Sequence, residues 1–184
     1  MKLTKLLIAF LLVISFGCSK KEEPQAVVYE PDTEGMSEFL YAIIDSSTNE
    51  SMSIGNDPQD LSVGIGIPIY QADENNKLTL SDTVDFPVYE NDKIIGVMSR
   101  FPLEKEGYGY NYGEVGTEEL TEALSDGTRI IIVFIGSNLS LFVTDTRTIA
   151  YGYQGSVDKY DFKAQALKYG AVISDARYPL EKPS

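Results

Sequence analysis

Alternation of apolar and polar positions dominates the middle of the chain. In LSVGIGIPIYQ, Val63, Ile65, Ile67 and Ile69 occupy every second position with glycines between them, the period-two pattern of a strand. Pro68 has no N–H to give to a ladder, so an edge position is expected for this strand. VDFPVYENDKIIGVMSR reads as two strands joined at Asn91 and Asp92, whose side chains tolerate the positive φ of tight hairpins. Further on, RIIIVFIGSNLSLFVTDTRTIAYGYQ contains three strand-like runs, 130–135, 139–143 and 148–153, separated by Gly136-Ser137-Asn138 and Asp145-Thr146-Arg147. Connections this short require antiparallel neighbours, so a three-strand meander is expected.

Helical periodicity is confined to shorter stretches. MSEFLYAIIDSSTNESMS places Phe39, Leu40, Ile43 and Ile44 on one side of a helix starting near Ser37, although FLYAIID also suits a strand. GTEELTEALSDG has start and stop marks: Thr117 as N-cap, acids in the first turn, Leu120, Ala123 and Leu124 on one face, and Gly127 at the end. DKYDFKAQALKYG predicts a third helix ended by Gly170, followed by a short apolar piece at 171–173. The order predicts an α+β fold: an antiparallel sheet, hairpin plus meander, with one to three helices packed on it.

The start of the chain follows a different rule. Lys2 and Lys5 precede an apolar run, 6–16, interrupted only by Ser15, and Gly17 leads into Cys18, the only cysteine. This is the three-part layout of a secretory signal. The run is shorter than the roughly 18 to 20 residues that cross a bilayer as a helix. With Cys18 directly after a small residue, the segment resembles a bacterial lipoprotein signal. Ser15 stands where leucine is usual and Phe16 where a small residue is common. The resemblance implies that residues 1–17 are removed, that Cys18 is lipidated with diacylglycerol, and that the protein is exported and anchored to the cell membrane or outer membrane. Ser19 after the cysteine resembles the signal for release towards an outer membrane. The charged, proline-containing stretch 18–35 reads as a flexible tether, leaving 36–184 as one domain.

Charge then narrows the partners. Of 15 basic residues, Lys2 and Lys5 leave with the signal, so 13 face 28 acidic ones, a net charge of −15. Nucleic acid is excluded as an expected partner, because neutralising phosphates takes Lys and Arg. The same balance opposes the body lying flat on anionic lipid. The chain has no histidine, which removes Ser-His-Asp and Cys-His catalysis and the commonest ligand of transition metals. No cofactor and no metal site are expected.

Candidate chemistry is concentrated in EGYGYNYGEVG. Tyr108, Tyr110 and Tyr112 lie two apart, so an extended backbone puts three phenols on one face, suited to stacking on a sugar or peptide. The alternative is a loop whose tyrosines fold over a sheet edge. Ser156 and Lys159 match the S-x-x-K of serine acyl enzymes, but Lys168 of KYG lies too close for that architecture. Glu114, Glu118, Glu119 and Glu122 are close in sequence, yet acids in a first helical turn have a sufficient reason in the helix dipole. DENNKLTLSD has oxygen ligands without the central glycine and terminal glutamate of a calcium loop. GIGIPIY followed by FPVYENDKIIGVM resembles exported propeptide-like and regulatory modules of bacteria, over less than half of the body and with no catalytic signature. The expected protein is a lipid-anchored, non-catalytic envelope protein binding a partner protein, peptide, glycan or small ligand; the alternative is a surface hydrolase using carboxylates or the Ser156/Lys159 pair.

Overall fold

The computed structural model describes residues 28–46, 60–114, 116–152 and 156–184. Three helices, α1 (Thr33–Ser46), α2 (Thr117–Leu124) and α3 (Lys163–Tyr169), pack on a sheet. Its strands are β1 (Leu61–Val63), β2 (Ile67–Ala72), β3 (Leu78–Glu90), β4 (Lys93–Pro102), β5 (Tyr108–Gly113), β6 (Arg129–Ile135), β7 (Leu139–Thr144), β8 (Thr148–Tyr151), β9 (Ala171–Val172) and β10 (Tyr178–Pro179). The main strand order is β10-β1-β3-β2-β6-β7-β8, with β4 on β3, β5 on β4 and β9 on β6.

Local signals form as expected. The β3–β4 hairpin pairs Glu90 with Lys93 across Asn91 and Asp92, and Asn91 takes the left-handed conformation at φ 54°. The β6–β7–β8 meander is antiparallel throughout, its third strand ending at Tyr151, while Tyr153 lies outside the described residues. Thr117 is the first helical residue of α2 and not its cap. The cap is Gly116 at φ 70°, a backbone conformation that a β-branched threonine resists.

The sheet is mixed, which corrects the expected antiparallel one. β2 runs parallel to β6, with Ile69 opposite Ile132 and Ala72 opposite Ile135. On its other side β2 is antiparallel to β3, so it is an interior strand and not an edge. Pro68 is accommodated because it precedes Ile69, where pairing with β6 begins, and adjoins a register shift against β3. The even alternation through 63–69 is also interrupted. Val63 packs in the cluster under α1, whereas Ile67 and Ile69 pack in the cluster under α2. Between them Gly64 N–H bonds to the Pro87 carbonyl and Gly66 N–H to that of Tyr29.

Alternation decides the layers. In β6, Ile130 and Ile132 face α2 with Ile67, Leu120, Ala123 and Phe142, while Ile131 and Val133 face α3 with Leu141, Phe162 and Ala166. Both faces of β6 are covered, which is why its sequence is a continuous apolar run. α1 buries Met36, Leu40 and Ile44 against Val84, Phe86, Val88 and Met98. Each such side chain contributes roughly 1.5 to 3 kcal/mol by leaving water. The fold begins ahead of Met36, inside the span read as tether. Tyr29 packs on the α1 cluster, and Asp32 starts the helix by accepting the Gly35 N–H at 3.2 Å.

Candidate functional site

The three tyrosines are set by the β4–β5 ladder. β5 is an extended strand bonded to β4, with Tyr108 opposite Pro102, Tyr110 opposite Arg100 and Tyr112 opposite Met98. Period two places all three on one face, as the sequence predicts. That face is turned towards α1, so the three phenols have different surroundings.

Tyr112 belongs to the core. Its hydroxyl donates to the Ile95 carbonyl at 3.0 Å, and its ring lies over Gly96, where any Cβ would collide with it. Tyr110 is half-buried, with its ring 5.9 Å from that of Phe39. Its hydroxyl donates to Asp32 Oδ2 at 2.5 Å. Burial, and then the adjacent Asp32 carboxylate, push the Tyr110 phenol above its ordinary pKa. Gly35 permits this approach, since a Cβ there would stand 2.6 Å from the Tyr110 hydroxyl. Tyr108 is half-exposed. The guanidinium of Arg100 lies 4.6 Å from its ring centre and 5.0 Å from that of Phe86, and Arg100 Nη1 donates to the Glu30 carbonyl at 3.0 Å.

An open cleft of about 500 Å³ results, lined by Asp32, Gly35, Glu38, Phe39, Tyr108 and Tyr110. It offers aromatic surface from Phe39 and Tyr108 beside carboxylates, a lining able to stack on and hydrogen-bond a sugar or a peptide. Sequence reading found the tyrosines and missed Asp32, Glu38, Phe39 and Arg100. One local signal was available: Asp32-Thr33-Glu34 is a capping residue followed by an acid in the first turn. Arg100 carries no such signal, because its two rings come from β3 and β5.

The other candidates lie elsewhere. The Ser156 hydroxyl donates to Asp158 Oδ2 at 2.7 Å, and Lys159 Nζ lies 4.7 Å from the Tyr160 ring centre. Glu118 and Glu119 occupy the first turn of α2, and Glu122 is 2.7 Å from Arg147. The Asp73 carboxylate accepts the Asn75 and Lys77 amides at 2.8 Å each, closing the turn read as an oxygen-rich loop. Among the described residues no three acidic side chains group as a metal site. Cys18 lies outside the described residues. Comparison of the chain with protein-family models, curated proteins and solved structures found no match in any of the three.

Proposed function

We propose that the protein is a lipid-anchored component of the cell envelope whose non-catalytic body binds a partner protein, peptide or small ligand outside the membrane. The observation that carries the anchoring is Cys18, the only cysteine, placed directly after Gly17 at the end of a basic-then-apolar leader. Diacylglycerol on Cys18 carries two acyl chains, the more-than-one-chain attachment that stable anchoring takes. Binding is assigned to the cleft between α1 and β5, with Tyr108 and Phe39 as stacking surfaces. Tyr112 supports the strand from within, and Tyr110 orients Asp32. The non-catalytic reading draws support from the chain's lack of histidine and from the state of Asp32, which already accepts from Tyr110 and from the Gly35 amide.

The anchoring is tested by growing cells on labelled fatty acid and comparing wild type with Cys18→Ala. Label on the wild type and none on the variant is expected; label on both, or on neither, overturns it. The cleft is tested by isolating the detergent-extracted protein with whatever co-purifies. Tyr108→Ala, at a half-exposed position, is expected to lose that species while leaving the fold intact, and full retention removes the cleft from the assignment.

A further inference from the structure

Exposed apolar residues gather at one place outside the cleft. Leu167, Tyr169 and Val172 of the α3–β9 segment leave 56, 41 and 41% of their surfaces exposed, and Val28 leaves 64%. Val28 and Val172 line one small, mostly apolar groove with Tyr29, Ile65 and Ala171. Tyr70 joins the two ends of the patch. Its ring centre is 6.5 Å from that of Tyr169. Burial raises the Tyr70 pKa, and the Tyr29 and Tyr169 phenols add to the rise.

The charge pattern here departs from the rest of the chain. Residues 162–174 carry Lys163 and Lys168 and no acidic side chain, within a protein of 28 acidic and 15 basic residues; Asp161 and Asp175 flank the stretch, and Asp161 Oδ1 lies 4.0 Å from Lys163 Nζ. Lys168 Nζ lies 4.6 Å from the Tyr169 ring centre, so its charge rests over that aromatic face. Tyrosines with apolar bodies and polar tips, exposed aliphatic residues and such lysines are the composition that settles at a bilayer surface. Acidic surface is repelled by anionic headgroups, and among the described residues the stretch 162–174, without an acid of its own, is favoured to approach them.

The chain's course selects the occupant. Val28 is the described residue nearest Cys18 in sequence, and the intervening segment reaches at most about 35 Å at ~3.5 Å per residue. We infer that the face formed by α3, β9 and Val28 rests on the phospholipid surface, with Leu167, Val28 and Val172 entering the interface and Tyr29, Tyr70 and Tyr169 at headgroup level. This rests on the anchoring through Cys18 proposed above. Contact by this face fixes the orientation of the body, and hence the direction in which the α1–β5 cleft opens.

The chain contains no tryptophan, so one substitution supplies a unique reporter. Full-length Leu167→Trp is extracted from membranes and reconstituted into vesicles of phosphatidylcholine and phosphatidylglycerol, with and without brominated phosphatidylcholine. Leu103→Trp, at an exposed apolar position preceding β5, is the control. Roughly twofold quenching of the Leu167→Trp indole, with the control unaffected, is expected for a side chain in the headgroup–acyl boundary. Protein that floats with the vesicles yet shows no quenching, or equal quenching at both positions, overturns the inference and leaves anchoring intact. A blue-shifted Leu167→Trp emission without quenching by bromine also overturns it, because a second copy or another protein then covers the face. Protein that fails to float with vesicles overturns the anchoring, and the inference with it.

Discussion

Tyr110 and Asp32 are 78 residues apart in sequence and joined by a 2.5 Å hydrogen bond, Tyr110 hydroxyl to Asp32 Oδ2. The same carboxylate caps α1 through the Gly35 amide. One acid therefore both starts a helix and ties it to the sheet edge. Tyr110→Phe is expected to lower stability by about 1 to 2 kcal/mol, the usual worth of a hydrogen bond to a charged group with partial solvent access. Asp32→Ala is expected to cost more, since it also removes the cap, typically ~1 kcal/mol. Urea unfolding of both variants checks this, and equal losses would mean that the cap contributes nothing.

Gly96 and Tyr112 form a second pairing, across β4 and β5. The Tyr112 ring occupies the space above Gly96 that a Cβ would need, and its hydroxyl is bonded to the Ile95 carbonyl. Gly96→Ala is expected to destabilise by about 2 kcal/mol or more, through overpacking. In a Tyr112→Ala background the same change should cost much less, because the obstruction is gone. A double-mutant cycle measures the difference; additive effects would show that Gly96 serves the backbone and not the ring.

Asp85 introduces a pH dependence. It is buried on β3 between Ile67 and Ser99 of the flanking strands. Burial raises its pKa to about 6, and the Ser99 hydroxyl, 2.6 Å away, only partly counters this. The folded state holds the proton more tightly than the unfolded chain. This stabilising contribution is complete below the unfolded value near 4 and is lost as pH rises towards 6. The accumulated difference is roughly 3 kcal/mol. Asp85→Asn is therefore expected to be more stable than wild type at pH 8 and close to it at pH 4. Paired denaturant titrations at the two pH values decide; a difference independent of pH would remove the buried charge as the cause.

Asp145 has the opposite sign. Burial tends to raise its pKa, but hydrogen bonds from the Thr128 amide at 2.6 Å, the Arg129 amide at 3.1 Å and the Thr128 hydroxyl at 2.9 Å outweigh it, and the pKa is lowered. Its stabilising contribution is present above the unfolded value and is lost as pH falls through the folded one. Asp145→Asn is expected to weaken the protein at pH 7 and to matter less as the pH falls below the ordinary carboxylate range towards pH 3. Thermal unfolding at both values checks the sign, and a loss that is as large in acid would implicate shape in place of charge.

Legibility in the sequence followed the range of the interaction. The hairpin at Asn91, the meander 129–151 and the glycine-terminated α3 were readable because turn residues and periodicity act over a few neighbours. α1 was readable as a helix with its start misplaced to Ser37, because the stretch before it was taken as tether on composition. The tyrosine row was readable as one face of a strand, but not as a face turned inwards. Covering it requires α1, whose position over β5 is set by Phe39, Asp32 and the core beneath.

The sequence by itself determined the basic-then-apolar start with its lone cysteine, the acidic balance, the absence of histidine and the strand and helix periods. These are properties of composition and near neighbours. Tertiary structure alone decided that β2 lies inside the sheet, parallel to β6, and that helices cover both faces of β6. It also decided that Asp32 meets Tyr110, and that Val28 emerges beside Val172. Each of these joins segments distant along the chain, and a period of two or 3.6 residues carries no information about which distant partner completes a ladder or covers a face.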